Sequence, residues 1–228
     1  MTRRFFEILD LGITDYNKSY SLQKDVINKI RMGISKETLI LTEHFPVITI
    51  GRQGSLRNLL VSEDRLKDLE IKLITADRGG DITLHSPGQL ILYPILNLKR
   101  WGRDLHLHLR KLEEVMITFL SYYGIDGIRM PGATGVWLDK TKKIGSIGIG
   151  VTKWITYHGL SININNDLQY FDLINPCGLR KTSMVSVSEA LGKKRDIGEA
   201  KEFLVKSFIK IYDNPISALA KKEIYKYC

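Results

Sequence analysis

Apolar residues along this chain alternate between short dense runs and helical stripes, and the order of the two sets the expected elements. Residues 5–9 read as a first strand. Asp15 stands where a cap belongs for a helix over about 16–32, whose apolar stripe is Tyr16, Leu22, Val26, Ile27 and Ile30. Leu39-Ile40-Leu41-Thr42 and Val47-Ile48-Thr49-Ile50 are strand-like runs, broken by Glu43-His44-Phe45-Pro46. Gly51-Arg52-Gln53-Gly54 opens a polar loop that also holds Asn58. A short helix over 62–69 carries Glu63 and Asp64 in its first turn, at the positive end of the helix dipole. Ile71-Lys72-Leu73-Ile74 is a further strand, and Leu90 to Leu98 reads as a central strand in which Pro94 marks a bulge or an edge. A helix from the cap Asp104 to about Tyr123 bears Leu105, Leu109, Leu112, Val115, Met116, Phe119 and Leu120 on one stripe, and Gly124 can end it. His106 and His108 are two apart on that helix and do not face each other, which rejects them as a metal pair.

Residues 127–165 read as a β-meander with repeated glycines. Along Lys143 to Val151, period two puts Lys143 on one face with Ile147, Ile149 and Val151, and turns Lys142 to solvent. Lys143 is then either buried and desolvated, or a strand-end lysine whose ammonium snorkels to water. On the next strand Thr156, His158, Leu160, Ile162 and Ile164 are expected to share a face, with His158 a core histidine or a site residue. Ser186 to Glu189 forms a capping box for a short helix ended by Gly192, and Asp196 to Glu199 opens another that bears Ala200, Phe203, Leu204, Phe208 and Ile211. Strands outnumber helices and partly meander, so the class is α/β or α+β with a mixed sheet. One domain over 1–213 is expected, followed by a basic tail over 214–228.

Composition narrows the class. The chain has 228 residues, 43% of them hydrophobic and 26% charged, which suits one globular core. A net charge of +9 would attract nucleic acid, anionic membrane or acidic proteins. The charge is spread along the chain, and no aromatic-and-basic nucleic-acid module stands out, so it reads as a solvated basic surface. The N-terminus shows no secretory signal or membrane span, and two cysteines, Cys177 and Cys228, make neither a disulfide framework nor a zinc site. The expected setting is cytoplasmic and reduced, with no metal, no nucleic acid and no membrane.

Two stretches carry candidate chemistry. Arg78-Gly79-Gly80-Asp81-Ile82-Thr83-Leu84-His85-Ser86-Pro87-Gly88-Gln89 packs a guanidinium fork, a glycine pair able to bring backbone N–H groups close to a ligand, and Thr83 and His85 on one strand face. Phe171 to Leu179 holds Cys177 between Pro176 and Gly178. A thiol on such a stiff turn is presented as a nucleophile or packed as an inert cysteine, and this stretch alone leaves the two readings even.

Arg78-Gly79-Gly80, Thr83, His85, Pro87-Gly88-Gln89 and Tyr93-Pro94 together resemble the signature of the lipoyl(octanoyl) transferase family. Gly135-Val136-Trp137, Lys143-Ile144 with Ile147-Gly148, His158-Gly159-Leu160 with Asn163, and Phe171, Ile174 and Pro176-Cys177-Gly178 are similar to its later blocks in the same order. Ser86 departs from the usual glycine. The resemblance implies a single domain with a mixed, largely antiparallel sheet flanked by helices, the fold of lipoate and biotin protein ligases. It implies transfer of an octanoyl group from octanoyl-acyl carrier protein to a lysine on lipoyl domains of 2-oxoacid dehydrogenase E2 subunits or of the glycine cleavage H protein, with no cofactor. Carried over by position, Cys177 is the acyl-thioester nucleophile and Lys143 its assistant. Substrate contacts fall on Arg78, Gly79, Gly80, Asp81, Ile82, Thr83, Leu84 and His85, on Ser146, Ile147 and Gly148, and on Gly159, Leu160 and Ser161, with Tyr93 and His158 in support.

The residues fit those roles. A free thiol has a pKa of about 8.5, and a neighbouring lysine helps either as a cation that favours the thiolate or as an amine that takes the proton. The nearest rival is an ATP-dependent lipoate-type ligase on the same fold, which would have no need of Cys177. A more distant one is a non-catalytic carrier- or nucleic-acid-binding protein.

Overall fold

The computed structural model describes residues 6–175 and 182–213. Pro176, Cys177, Gly178 and Leu179, Cys228 and the expected tail over 214–228 lie outside the described residues. In chain order the elements are β1 (Glu7–Thr14), α1 (Tyr16–Arg31), β2 (Thr38–His44), β3 (Val47–Ile50), α2 (Glu63–Asp68), β4 (Lys72–Thr75), β5 (Ile82–His85) and β6 (Gln89–Ile95). There follow α3 (Leu105–Ser121), β7 (Ile128–Met130), β8 (Ala133–Trp137), β9 (Lys142–Thr152), β10 (Ile155–Asn163), β11 (Ser183–Met184), α4 (Val187–Leu191) and α5 (Ile197–Asp213).

A large sheet runs β1-β2-β6-β10-β9-β8-β7, with β11 beside β9. It is antiparallel except where β1 meets β2 and β11 meets β9. The runs Leu39-Ile40-Leu41 in β2 and Leu90-Ile91-Leu92 in β6 explain how it is covered. Their leucines join the core beneath α3 and α5, and their isoleucines join a second core under α1. A strand covered on both faces has no polar side, so its run is continuous rather than alternating. Each such side chain gains about 1.5–3 kcal/mol on burial. The caps fall where the spacing puts them: Asp15 accepts from the Asn17 and Lys18 amides (2.9 and 3.3 Å), and Asp104, Ser186 and Asp196 each accept from the amide three residues on. β1 runs past residue 9 to Thr14, through a register shift between Asp10 and Ile13 where Gly12 takes a positive φ and the alternation breaks.

A small sheet, β4-β3-β5, rests on α2 and on a 3-10 turn over Gln169–Leu173, with Ile48, Leu66, Ile82, Leu84, Phe171 and Ile174 between them. Among the described residues no helix is long and apolar enough to cross a membrane.

Two local expectations change. Pro94 is not at a sheet edge, since β6 lies between β2 and β10. The registered pairing with β10 stops at Leu92, and the Thr156 hydroxyl takes over, donating to the Pro94 carbonyl (2.6 Å) and accepting from the Leu96 amide (2.9 Å). Gly159 leaves room for the proline: a Cβ there would strike the Leu92 carbonyl and stand 2.7 Å from Pro94 Cδ. His158 does not share a face with Leu160, Ile162 and Ile164. Its φ of +55° breaks the alternation, so Tyr157 and His158 reach the same side as neighbours, while the three apolar residues enter the core under α3 and α5.

Candidate functional site

A cleft opens between the small sheet and the β9–β10 hairpin, with Tyr16 of α1 at one wall. It holds about 490 Å³ of space, open solvent at its mouth included. Its lining brings together Arg78, Gly80, Asp81, Ile82, Thr83 and His85 from the β4–β5 side, Ser146, Ile147 and Gly148 from β9, and Gly159, Leu160 and Ser161 from β10. Ile91, Tyr93 and His158 complete it. The last two segments meet because the hairpin sets Ser146 opposite Ser161, Ile147 opposite Leu160 and Gly148 opposite Gly159. Gly148 is glycine where the loop presses on the strand: a Cβ would lie 3.0 Å from Arg78 Cδ and from the Gly79 carbonyl. Two residues of the expected contact set stand outside the lining. Gly79 donates its amide to the Ile149 carbonyl (2.8 Å), and Leu84 is buried in the small-sheet core.

Arg78 is held by its own strand layer. Its Nη2 donates to the Thr49 carbonyl (2.7 Å) and hydroxyl (2.8 Å), and its Nη1 to the Gly79 carbonyl (3.0 Å). Asp81 turns to the neighbouring loop, accepting from the amides of Ile82 (2.7 Å) and Ser55 (3.2 Å) and from Asn58 Nδ2 (2.5 Å). The cleft therefore has fixed positive charge at Arg78, while the Asp81 carboxylate is engaged in the loop.

Three histidines surround the Tyr16 ring: His85 and His158 stack on it and His44 meets it edge-on. Burial pushes all three below their ordinary value, His44 to about 4 and His85 to about 3. They are neutral at physiological pH, so their tautomers matter. A chain of fixed polarity sets that of His85. The Val185 carbonyl can only accept, so Asn163 gives it Nδ2 (3.1 Å) and turns Oδ1 to Gln89 Nε2 (2.9 Å). Gln89 Oε1 then accepts from His85 Nδ1–H (2.6 Å), which leaves Nε2 as the lone-pair acceptor of a ring that lines the cleft.

Sequence reasoning missed the centre of this wall. Asp77, one residue before the dense stretch, receives His158 Nε2 (2.9 Å), the Tyr20 and Tyr157 hydroxyls (2.8 Å each) and Lys24 Nζ (3.2 Å). Burial pushes its carboxyl up, but these donors outweigh burial and hold it well below the usual range. Asp77 thereby ties α1 to the β4–β5 loop and to β10.

Linkage gives this histidine set a measurable consequence. His44, His85 and the buried His108 have folded-state pKa values of about 4, 3 and 3 against an ordinary 6.5. Between those limits the unfolded chain binds more protons, so stability is full above about pH 6.5 and falls as pH drops towards 4. Thermal melts across pH 8 to 4 are expected to show Tm holding above 6.5 and falling below it. A flat Tm down to pH 4.5 would contradict the burial of these rings.

Lys143 is the second residue of β9 and is 2% exposed, so its ammonium does not snorkel. Its Nζ donates to the Thr134 carbonyl (3.1 Å) and lies 5.1 Å from the centre of the Trp137 ring. Lys142, beside it, is exposed as expected. Gly135 makes room for the lysine stem: its φ is +128°, and a Cβ would sit 2.8 Å from Lys143 Cε and against the Gly145 carbonyl. Gly135→Ala is expected to cost about 1–3 kcal/mol and to lower Tm by roughly 2–12 °C in a thermal melt. An unchanged Tm would show that the loop yields.

The described residues before Cys177 are anchored to the loop at Asn58 and Leu59, and those after it to the strand that carries this lysine. Asn175 donates its amide to the Asn58 carbonyl (2.7 Å), and Ile174 bridges to Leu59. On the other side, Ser183 and Met184 pair in register with Lys142 and Lys143, and the Val185 amide donates to the Lys143 carbonyl (3.0 Å). Asn175 and Thr182 to Met184 line a common cavity.

Comparison with known proteins places this arrangement. The family described as lipoyl protein ligase A/B catalytic domain matches residues 15–209. An octanoyltransferase of Pelobacter propionicus is 41% identical over 92% of this chain and 96% of its own length. An octanoyltransferase of Geobacter metallireducens is 40% identical over 95% and 98%. Among solved structures, a bipartite lipoate protein ligase of Thermoplasma acidophilum superposes with a TM-score of 0.71 at 18% identity, over 98% of this chain and 91% of that one, a likeness of fold.

Proposed function

The chain belongs to the lipoyl protein ligase A/B catalytic-domain family, and from that we infer that it is an octanoyltransferase serving protein lipoylation. The observation that carries this reading is the identity of about 40%, over nearly the whole of both chains, with proteins named octanoyltransferase. The donor is an octanoyl thioester on acyl carrier protein, and the acceptor is a lysine of a lipoyl domain.

The reaction runs in two halves. The Cys177 thiolate attacks the donor carbonyl, and the carrier sulfur leaves as a thiol with a proton from the Lys143 ammonium, so one thioester replaces another and Lys143 is left neutral. The neutral acceptor amine then attacks the acyl-Cys177 carbonyl, the amide forms and the Cys177 sulfur leaves. Each thioester is already activated, so no ATP enters. In this reading Lys143 assists Cys177, favouring its thiolate in the first half and taking the proton of the acceptor amine in the second. The burial of Lys143 and its register with Met184 support this pairing. The octanoyl chain lies in the cleft along Ile91, Ile147 and Leu160, with Arg78 and Gly80 at its polar side, Thr83, His85, Ser146 and Ser161 around it, and Tyr93 and His158 holding the wall. The basic surface, net +9, suits an acidic carrier protein.

Incubation with octanoyl-acyl carrier protein and a lipoyl domain, without nucleotide, is expected to octanoylate the domain. Modification that appears only with free octanoate and ATP would make the chain a ligase instead.

A further inference from the structure

Glu113 of α3 is fully buried, although a lone glutamate on an amphipathic helix ordinarily faces water. Its Oε2 is matched by Arg110 Nη1 (2.9 Å) and Arg129 Nε (3.1 Å). Arg129 also reaches Glu114 (2.6 Å). Burial pushes the Glu113 carboxyl up, while the Gly135 amide and the two arginines oppose burial. The other oxygen, Oε1, accepts from the Gly135 amide (3.1 Å). That amide belongs to the peptide unit whose carbonyl, Thr134 O, accepts from Lys143 Nζ (3.1 Å). In a trans peptide the N–H and C=O point to opposite sides. One peptide plane is therefore clamped between a buried carboxylate and the lysine ammonium. A negative charge on the N–H side polarises the unit and strengthens its carbonyl as an acceptor. The positive φ at Gly135 and the absence of a Cβ there let the lysine stem lie against the same unit.

We propose that Glu113 is a positioning residue for Lys143, acting through the Thr134–Gly135 peptide to fix where the ammonium stands relative to Cys177. This rests on the reading of Lys143 as the partner of Cys177. The carboxylate never touches substrate. Without its charge the carbonyl holds the ammonium less firmly, the cation moves off the thiol, and the thiolate forms at higher pH.

The test is the pH dependence of Cys177 alkylation by iodoacetamide in the full-length protein, together with single-turnover octanoyl-enzyme formation, in Glu113→Gln, Arg129→Gln and Lys143→Met. Glu113→Gln is expected to move the alkylation midpoint up by about one pH unit. It should slow acylation at neutral pH about tenfold and leave the KM for octanoyl-acyl carrier protein unchanged. Arg129→Gln removes a partner of Oε2 but leaves the Gly135 contact, so it should lower Tm without moving the midpoint. Adding Glu113→Gln to Lys143→Met should cause no further shift. A wild-type midpoint in Glu113→Gln beside a shifted one in Lys143→Met overturns the proposal and leaves the lysine reading intact. A wild-type midpoint in Lys143→Met overturns both. If Glu113→Gln does not fold, Glu113→Asp keeps a charge for the arginines but withdraws it from Gly135. It should give an upward shift, and an unmoved midpoint there is equally decisive against the proposal.

Discussion

Cys177→Ala is expected to reduce octanoyl transfer by on the order of 10⁴-fold or more, to the background of uncatalysed aminolysis. The substitution leaves the cleft, Lys143 and the surface charge in place, so carrier and lipoyl domain should still bind. What it removes is the sulfur that accepts the acyl group and so splits one difficult transfer into two easier ones. Transfer followed by the mass of the lipoyl domain measures this directly. Retention of more than a few per cent of wild-type activity would mean that the acceptor lysine attacks the carrier thioester directly, with Cys177 outside the reaction path.

Lys143→Met is expected to slow both half-reactions, each by roughly 10²–10³-fold. Methionine keeps most of the stem that lies beside Trp137 and Gly135, so the loss reports the amine rather than the packing. Rapid mixing with octanoyl-acyl carrier protein alone gives the first rate, and addition of a lipoyl domain to preformed acyl-enzyme gives the second. A loss confined to the first step would restrict Lys143 to thiolate formation and leave the acceptor amine to another base.

The fold was legible where local chemistry and tertiary packing agree. Leu39-Ile40-Leu41 and Leu90-Ile91-Leu92 announce strands buried on both faces, and Asp15, Asp104, Ser186 and Asp196 mark helix starts because each side chain meets an orphan amide. The residues of the cleft were legible by resemblance, and the β9–β10 register explains why two separate segments meet there. What stayed hidden needed the third dimension. His158 takes a left-handed backbone without being glycine, so period two assigned it to the wrong face. Asp77 is an ordinary aspartate in sequence and becomes a hub only when α1, β10 and the β4–β5 loop converge on it. Glu113 carries no signal of its own in the sequence, since its two arginines come from one turn back on α3 and from β7. The burial of Lys143 depends on Gly135, a residue of another strand, and no pattern along β9 distinguishes it from a lysine that snorkels.

The most direct test of the central claim is intact-mass spectrometry of the purified protein after mixing with octanoyl-acyl carrier protein and no nucleotide. The account predicts one octanoyl group on the chain, released by hydroxylamine, absent in Cys177→Ser and passed on when a lipoyl domain is added. A protein that gains no octanoyl mass, yet octanoylates a lipoyl domain once ATP and free octanoate are supplied, would contradict it.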